Sequence, residues 1–143
     1  MIALPPAELQ KINAHGSRDY PNECCGFLLG KDEGGRKVVR EAWPAPNSHE
    51  DSHRRRFLIT SDDWRAGEQH AGEQRVDILG FYHSHPDHPA RPSEYDREHA
   101  WPWMSYIILS VEQGHPARLT SWVLTEDRSK FEEETIEICQ QES

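Results

Sequence analysis

The sequence predicts an α+β fold, one layer of mixed or antiparallel sheet with helices packed on it. Three observations carry that expectation. Short apolar runs of strand length recur along the chain. Several follow one another with only a turn between, as hairpins do. Helical stretches interrupt the series without a regular strand–helix alternation. A chain of 143 residues suits a single domain, 1–143, with a core that needs no disulfide staples.

Pro5-Pro6-Ala7-Glu8-Leu9 opens the first helix, with proline where a missing N–H does no harm. Leu9 and Ile12 give it an apolar face, and Gly16 suits its stop. Cys24 to Gly30 (CCGFLLG) is an apolar run between turn signals, a buried strand. Asp32 to Gly35 is a turn into a second strand, KVVREAWPAP, that ends in prolines. Asn47 to His53 is polar and predicts a loop, and Arg56 to Thr60 a further strand. Ser61-Asp62-Asp63 predicts the cap of a helix through Trp64 and Ala71. Asp77 to His85 (DILGFYHSH) is a strand that runs straight into histidines, and Ser93 begins a helix through Ala100. Ser105 to Val111 and Arg118 to Thr125 predict a strand pair joined by a turn holding Gly114 and Pro116. Phe131 to Ile138 alternates as a last edge strand, its Glu run facing solvent.

Composition excludes several classes. There are 25 Asp and Glu against 16 Lys and Arg, a formal charge of −9, which repels phosphate backbones and argues against a nucleic-acid partner. The one basic cluster, Arg54-Arg55-Arg56, is expected as a solvated strand end. Cys24, Cys25 and Cys139 are odd in number and form no Cys-x-x-Cys pair, so neither a disulfide framework nor a thiolate zinc site is expected. A reducing, cytoplasmic setting follows. The start, MIALPPAELQKINAHG, has no signal-peptide pattern, and no apolar run nears the roughly 18 residues of a membrane helix. Without a heptad pattern, oligomeric state stays open.

The chemistry concentrates in HSHPDHPARPSEYD, His83 to Asp96. Strand side chains alternate, so His83 and His85 share a face and can share a metal ion, with Ser84 on the other side. Pro86 cannot continue the ladder, so the pair belongs at the rim of a sheet, where pockets form. Two metal readings compete. His83, His85, Asp87 and His88 fit H-x-H-x-D-H, which resembles the metallo-β-lactamase-like hydrolases over six residues and nowhere else. His83-Ser84-His85-Pro86, then six residues, then Ser93-x-x-Asp96 resembles the signature of the JAMM (MPN-plus) zinc metalloproteases. That family also carries an upstream glutamate in a context like Pro21-Asn22-Glu23-Cys24-Cys25-Gly26-Phe27-Leu28-Leu29-Gly30, about sixty residues earlier here. The order of elements agrees nearly end to end, so the wider match is preferred.

The resemblance implies a site and an activity. One Zn²⁺ per chain is expected on His83, His85 and Asp96, with a fourth position open to water, which zinc makes acidic enough to attack near neutral pH. Glu23 is expected as general base and acid, and Ser93 as donor to the developing oxyanion. The sheet should be partly curled, with the layering that relates the MPN core to cytidine deaminases. The implied activity is hydrolysis after the C-terminal Gly-Gly of a small ubiquitin-like or sulfur-carrier protein, as in stand-alone prokaryotic members. The alternative is a non-catalytic MPN-type scaffold. A zinc deaminase would need Pro-Cys-x-x-Cys after His-x-Glu, which is absent.

Plainer readings stand beside these. Ser93-Glu94-Tyr95-Asp96 is also a capping box, and Glu23 alone would pass for a loop acid. Cys24 and Cys25 suit small buried hydrophobes. His49, His53, His70, His88 and His99 suit the surface, and Trp101 and Trp103 suit packing.

Overall fold

The computed structural model describes residues 1–45 and 59–138. Along them run β1 (Ile2–Leu4), α1 (Pro6–Asp19), β2 (Cys25–Glu33), β3 (Arg36–Ala45), α2 (Ser61–Gln74), β4 (Asp77–Pro86), α3 (Glu94–His99), β5 (Ser105–Glu112), β6 (His115–Leu124), β7 (Phe131–Glu134) and β8 (Ile136–Ile138). The strands join one mixed sheet in the order β7-β6-β5-β4-β2-β3-β1-β8. The β4–β5, β1–β3 and β1–β8 pairs are parallel, the others antiparallel.

β7 and β8 stand at opposite ends of that order, yet only Thr135 separates them in the chain. Consecutive Cα atoms lie about 3.8 Å apart, so the two margins of the sheet must meet and the sheet curls almost into a barrel. The Ile2 N–H donates to the Thr135 carbonyl at 3.0 Å across that junction. The expected edge strand Phe131 to Ile138 is therefore two strands, each closing a different margin. Curling leaves few exposed strand edges. Where β3 runs past its partner, buried Glu8 of α1 takes over, its Oε1 accepting the Ala42 N–H at 2.9 Å.

Apolar side chains form a cluster on each face. Ile2, Leu4, Ile12, Leu28, Tyr82, Ile107 and Leu109 pack on the α1 side. Phe27, Leu29, Phe81, Tyr106 and Leu124 pack on the other, with Ala71 of α2 and Ala100 after α3. A bulge at Leu79, where the β2–β4 register shifts, sets the phase of β4. From there Phe81, His83 and His85 fall on the α2 side, and Tyr82 and Ser84 on the α1 side.

Several features differ from the sequence reading, and β2 runs on to Glu33, past Asp32 where the turn was expected to begin. α1 passes Gly16 and ends at Asp19. A Cβ on Gly16 would lie 2.7 Å from Leu109 Cδ2 and 3.1 Å from Val111 Cγ2, so this glycine admits close helix–sheet packing rather than a stop. β1 was not expected: three residues carry too little periodicity to register, though Ile2, Ala3 and Leu4 are fully buried. The cap of α2 is Thr60, not Ser61-Asp62-Asp63, with Asp63 completing a capping box. The β5–β6 turn is Gln113-Gly114 alone, both at positive φ, so Pro116 already belongs to β6. Of the strand expected over Arg56 to Thr60, only Ile59 and Thr60 are described, and neither is in a strand. Asn47 to His53, Arg54 to Arg56 and Cys139 lie outside the described residues.

Candidate metal centre

Strand register brings the distant acid to the histidines. Cys25 pairs with His83 across the antiparallel β2–β4 ladder. Carried two residues past the start of β2, that register sets Glu23 beside His85. The Ser84 N–H donates to the Cys24 carbonyl at 3.1 Å, and Ser84 Oγ accepts the Cys24 N–H at 2.8 Å, so the pairing does continue. By alternation Glu23, Cys25, His83 and His85 belong to one face. A Glu23 carboxylate oxygen and imidazole nitrogens of His83 and His85 all lie within 4.8 Å of one another. Glu23 is buried. Asp96 comes from the first turn of α3.

Three atoms converge more tightly. His83 Nε2 and His85 Nε2 are 3.1 Å apart. Asp96 Oδ2 lies 3.4 Å from the first and 3.3 Å from the second. Tetrahedral zinc with bonds of about 2.0–2.1 Å sets its ligand atoms about 3.3–3.4 Å apart. The triangle therefore fits one ion of that size, and its donors, two imidazoles and a carboxylate, are the type such an ion takes. Glu23 stands with the two histidines as a second carboxylate within reach of the same point.

Electrostatics favour the same protonation states. Burial holds the fully enclosed His83 imidazole below its ordinary pKa, toward the neutral form a metal requires. For Asp96, burial pushes the pKa up, but the neighbouring imidazoles outweigh it and hold the carboxyl well below the usual carboxylate range. The Ser93 N–H also donates to Asp96 Oδ2, at 2.8 Å, while Ser93 Oγ accepts the Asp96 N–H at 3.0 Å. The capping box thus holds the same Oδ2 that stands 3.3–3.4 Å from the two imidazoles. Ser93 is exposed and begins α3 as expected.

The six-residue H-x-H-x-D-H reading fails on geometry. Asp87 takes a positive φ of 57° and turns away, accepting the Tyr20 hydroxyl at 2.5 Å and the Gln113 N–H at 2.9 Å. His88 is exposed, as is His99. His70, expected at the surface, is half-buried: it stacks on Trp43 and meets Glu41 at 2.8 Å. Trp101 packs edge-on to Trp64, but Trp103 is 69% exposed and contributes little packing. His49 and His53 lie outside the described residues. Not foreseen was the Pro89 carbonyl, which accepts from His85 Nδ1 at 2.9 Å; a backbone group has no sequence signal.

Cys24 and Cys25 are fully buried, as expected, and burial pushes the Cys24 thiol up to about 12 and Cys25 higher. Thiolate is the reactive form, so neither should react with iodoacetamide at pH 8 until the chain unfolds. Mass spectrometry after native and denatured labelling checks this; carbamidomethyl on either residue in the native sample refutes it.

Comparison with known proteins agrees with the geometry. Residues 5–125 match the Prok-JAB family, the prokaryotic homologs of the JAB domain. The chain belongs to this prokaryotic JAMM/MPN family, and the resemblance in its motifs is borne out. It is 32% identical to a desampylase of Haloferax volcanii over 121 residues, 84% of this chain and 81% of that protein. It is 31% identical to a CysO-cysteine peptidase of Mycobacterium tuberculosis over 133 residues, 90% of this chain and 84% of that protein. A solved structure from Desulfitobacterium hafniense superposes with a TM-score of 0.87 at 29% identity, covering 99% of this chain and 94% of that one. No helix among the described residues is long and apolar enough to cross a membrane.

Proposed function

We propose that this chain is a zinc metallopeptidase that hydrolyses the bond after the C-terminal Gly-Gly of a small ubiquitin-like or sulfur-carrier protein. The observation that carries the reading is the triangle of His83 Nε2, His85 Nε2 and Asp96 Oδ2, spaced 3.1–3.4 Å, with the buried Glu23 carboxylate beside it. Relatives named desampylase and CysO-cysteine peptidase support a hydrolase acting on such linkages.

Each residue has a role the geometry allows. His83, His85 and Asp96 would hold the ion. When bound, it would supply Lewis acidity that polarises a carbonyl and makes water more acidic. Glu23 takes a proton from the attacking water and delivers it to the leaving amine. Ser93 Oγ accepts a backbone N–H, which leaves its own proton available for the oxygen that gains charge at the scissile carbonyl. A scaffold module of the same fold would have no reason to gather these ligand atoms, and the structure gives that alternative no support of its own. The acidic charge and reducing-compartment cysteine pattern agree with a cytoplasmic enzyme without nucleic-acid or membrane partners.

Two measurements test the reading together. The zinc-loaded chain should bind one ion. Incubated with a carrier protein extended past Gly-Gly, it should give a product whose intact mass ends at Gly-Gly. No zinc and no cleavage would return the chain to the scaffold class.

A further inference from the structure

The mechanism above leaves unexplained a chain of hydrogen bonds on the β6 side of the site, centred on a buried Thr120–Ala90 contact. Trp122 Nε1 lies 2.8 Å from Thr120 Oγ1. Thr120 Oγ1 lies 2.6 Å from the Ala90 carbonyl oxygen. The Pro89 carbonyl, one residue earlier, receives His85 Nδ1 at 2.9 Å and the Arg91 N–H at 2.8 Å. Thr120 and Ala90 are each 5% exposed.

The donor inventory fixes every direction in this chain. An indole nitrogen only donates, so Trp122 gives its proton to Thr120. A carbonyl only accepts, so the Thr120 hydroxyl gives its proton to Ala90. The bond from Arg91 to Pro89 closes a three-residue turn, and Thr120 anchors the middle residue of that turn. The same turn aims the Pro89 carbonyl at His85. That carbonyl requires a proton on Nδ1, which leaves Nε2 as the ring nitrogen that can serve a metal beside Asp96 and His83. Sheet register explains the reach. Thr120 pairs with Ile108, and Ile108 with His83, so Thr120 sits on the metal face two strands away.

We propose that Thr120 is a positioning residue: through the Pro89–Arg91 turn its hydroxyl sets the tautomer and ring orientation of His85 for the metal. The proposal rests on the reading that His85 is a ligand. Groups that orient a metal-bound histidine typically change affinity about 10–100-fold when lost. Thr120 works through a turn, so the effect should fall at the lower end.

Thr120→Val keeps the branched shape and removes the hydroxyl; Thr120→Ser keeps the hydroxyl and removes a methyl. Zinc affinity, measured by competition with a chromophoric chelator, should fall about 10-fold in the valine variant and stay within about 2-fold of the parent in the serine variant. Proton NMR of the zinc-loaded protein should show the His85 Nδ1–H protected from solvent exchange by the Pro89 carbonyl in the parent and the serine variant, and exchanging faster in the valine variant. A valine variant with parental affinity and a parentally protected Nδ1–H overturns the proposal, even if it melts lower, because the bond then only braces a loop. A serine variant as weak as valine overturns it too, since packing and not the hydroxyl would be responsible. A parent that binds no zinc overturns both the proposal and the reading beneath it, which separates that failure from the first two.

Discussion

Glu23→Gln is expected to retain one zinc per chain and to lose turnover by roughly 10²–10⁴-fold, the range general acid–base catalysis contributes. The substitution is nearly isosteric, so the buried pocket around Glu23 should hold its shape. What disappears is a group able to carry a proton at neutral pH. The test also arbitrates between two carboxylates. Glu23 falls in one cluster with His83 and His85, within 4.8 Å, and Asp96 Oδ2 stands 3.3–3.4 Å from the same two imidazoles. If Glu23 were the third ligand, glutamine would strip the metal along with the activity. Inductively coupled plasma analysis beside single-turnover cleavage of a Gly-Gly-extended carrier distinguishes these outcomes. Parental turnover in the glutamine variant would falsify the assignment of Glu23 as proton carrier.

The separation of Glu23 from His83 shows what the sequence could disclose and what it could not. Both positions carry recognisable residues in recognisable context, so the members of the site were legible. Their meeting depends on Cys25 standing opposite His83, which is a register. Register is set by packing across β2 and β4, including the bulge at Leu79, and no local pattern announces it. Elements with strong periodicity, such as the strand into His85 or the helix from Pro6, were legible for the same local reason. β1 escaped because its partners, β3 and β8, lie far along the chain. The curl escaped as a residue-level inference because it depends on Thr135 joining the two ends of the strand order. Thr120 had no signal at all: a lone threonine in an alternating strand looks the same whether it anchors a loop or not.

Asp96 offers the sharpest separation of a structural role from a chemical one. Its Oδ2 accepts the Ser93 N–H at 2.8 Å and also stands 3.3–3.4 Å from the two imidazoles. Asparagine can still accept from the cap, but it removes the negative charge and the strong metal donor. Asp96→Asn is therefore expected to weaken zinc binding by more than about 100-fold, beyond the 10–100-fold typical of an orienting group, and to abolish carrier cleavage at limiting zinc. The cap survives, so the metal-free variant should lie within about 1 kcal/mol of the metal-free parent in thermal denaturation. Asp96→Ala loses both functions, adding a destabilisation of about 0.5–1.5 kcal/mol, the net worth of the lost hydrogen bond to Ser93, to the same loss of zinc. The asparagine and alanine variants should then agree in metal affinity and differ in stability. An asparagine variant that binds zinc as the parent does would leave Asp96 as a cap alone, and the ion would need Glu23 as its third ligand. The start of the short helix α3 fixes where the carboxylate stands: the N-terminal box that closes the helix also sets Oδ2 beside both rings.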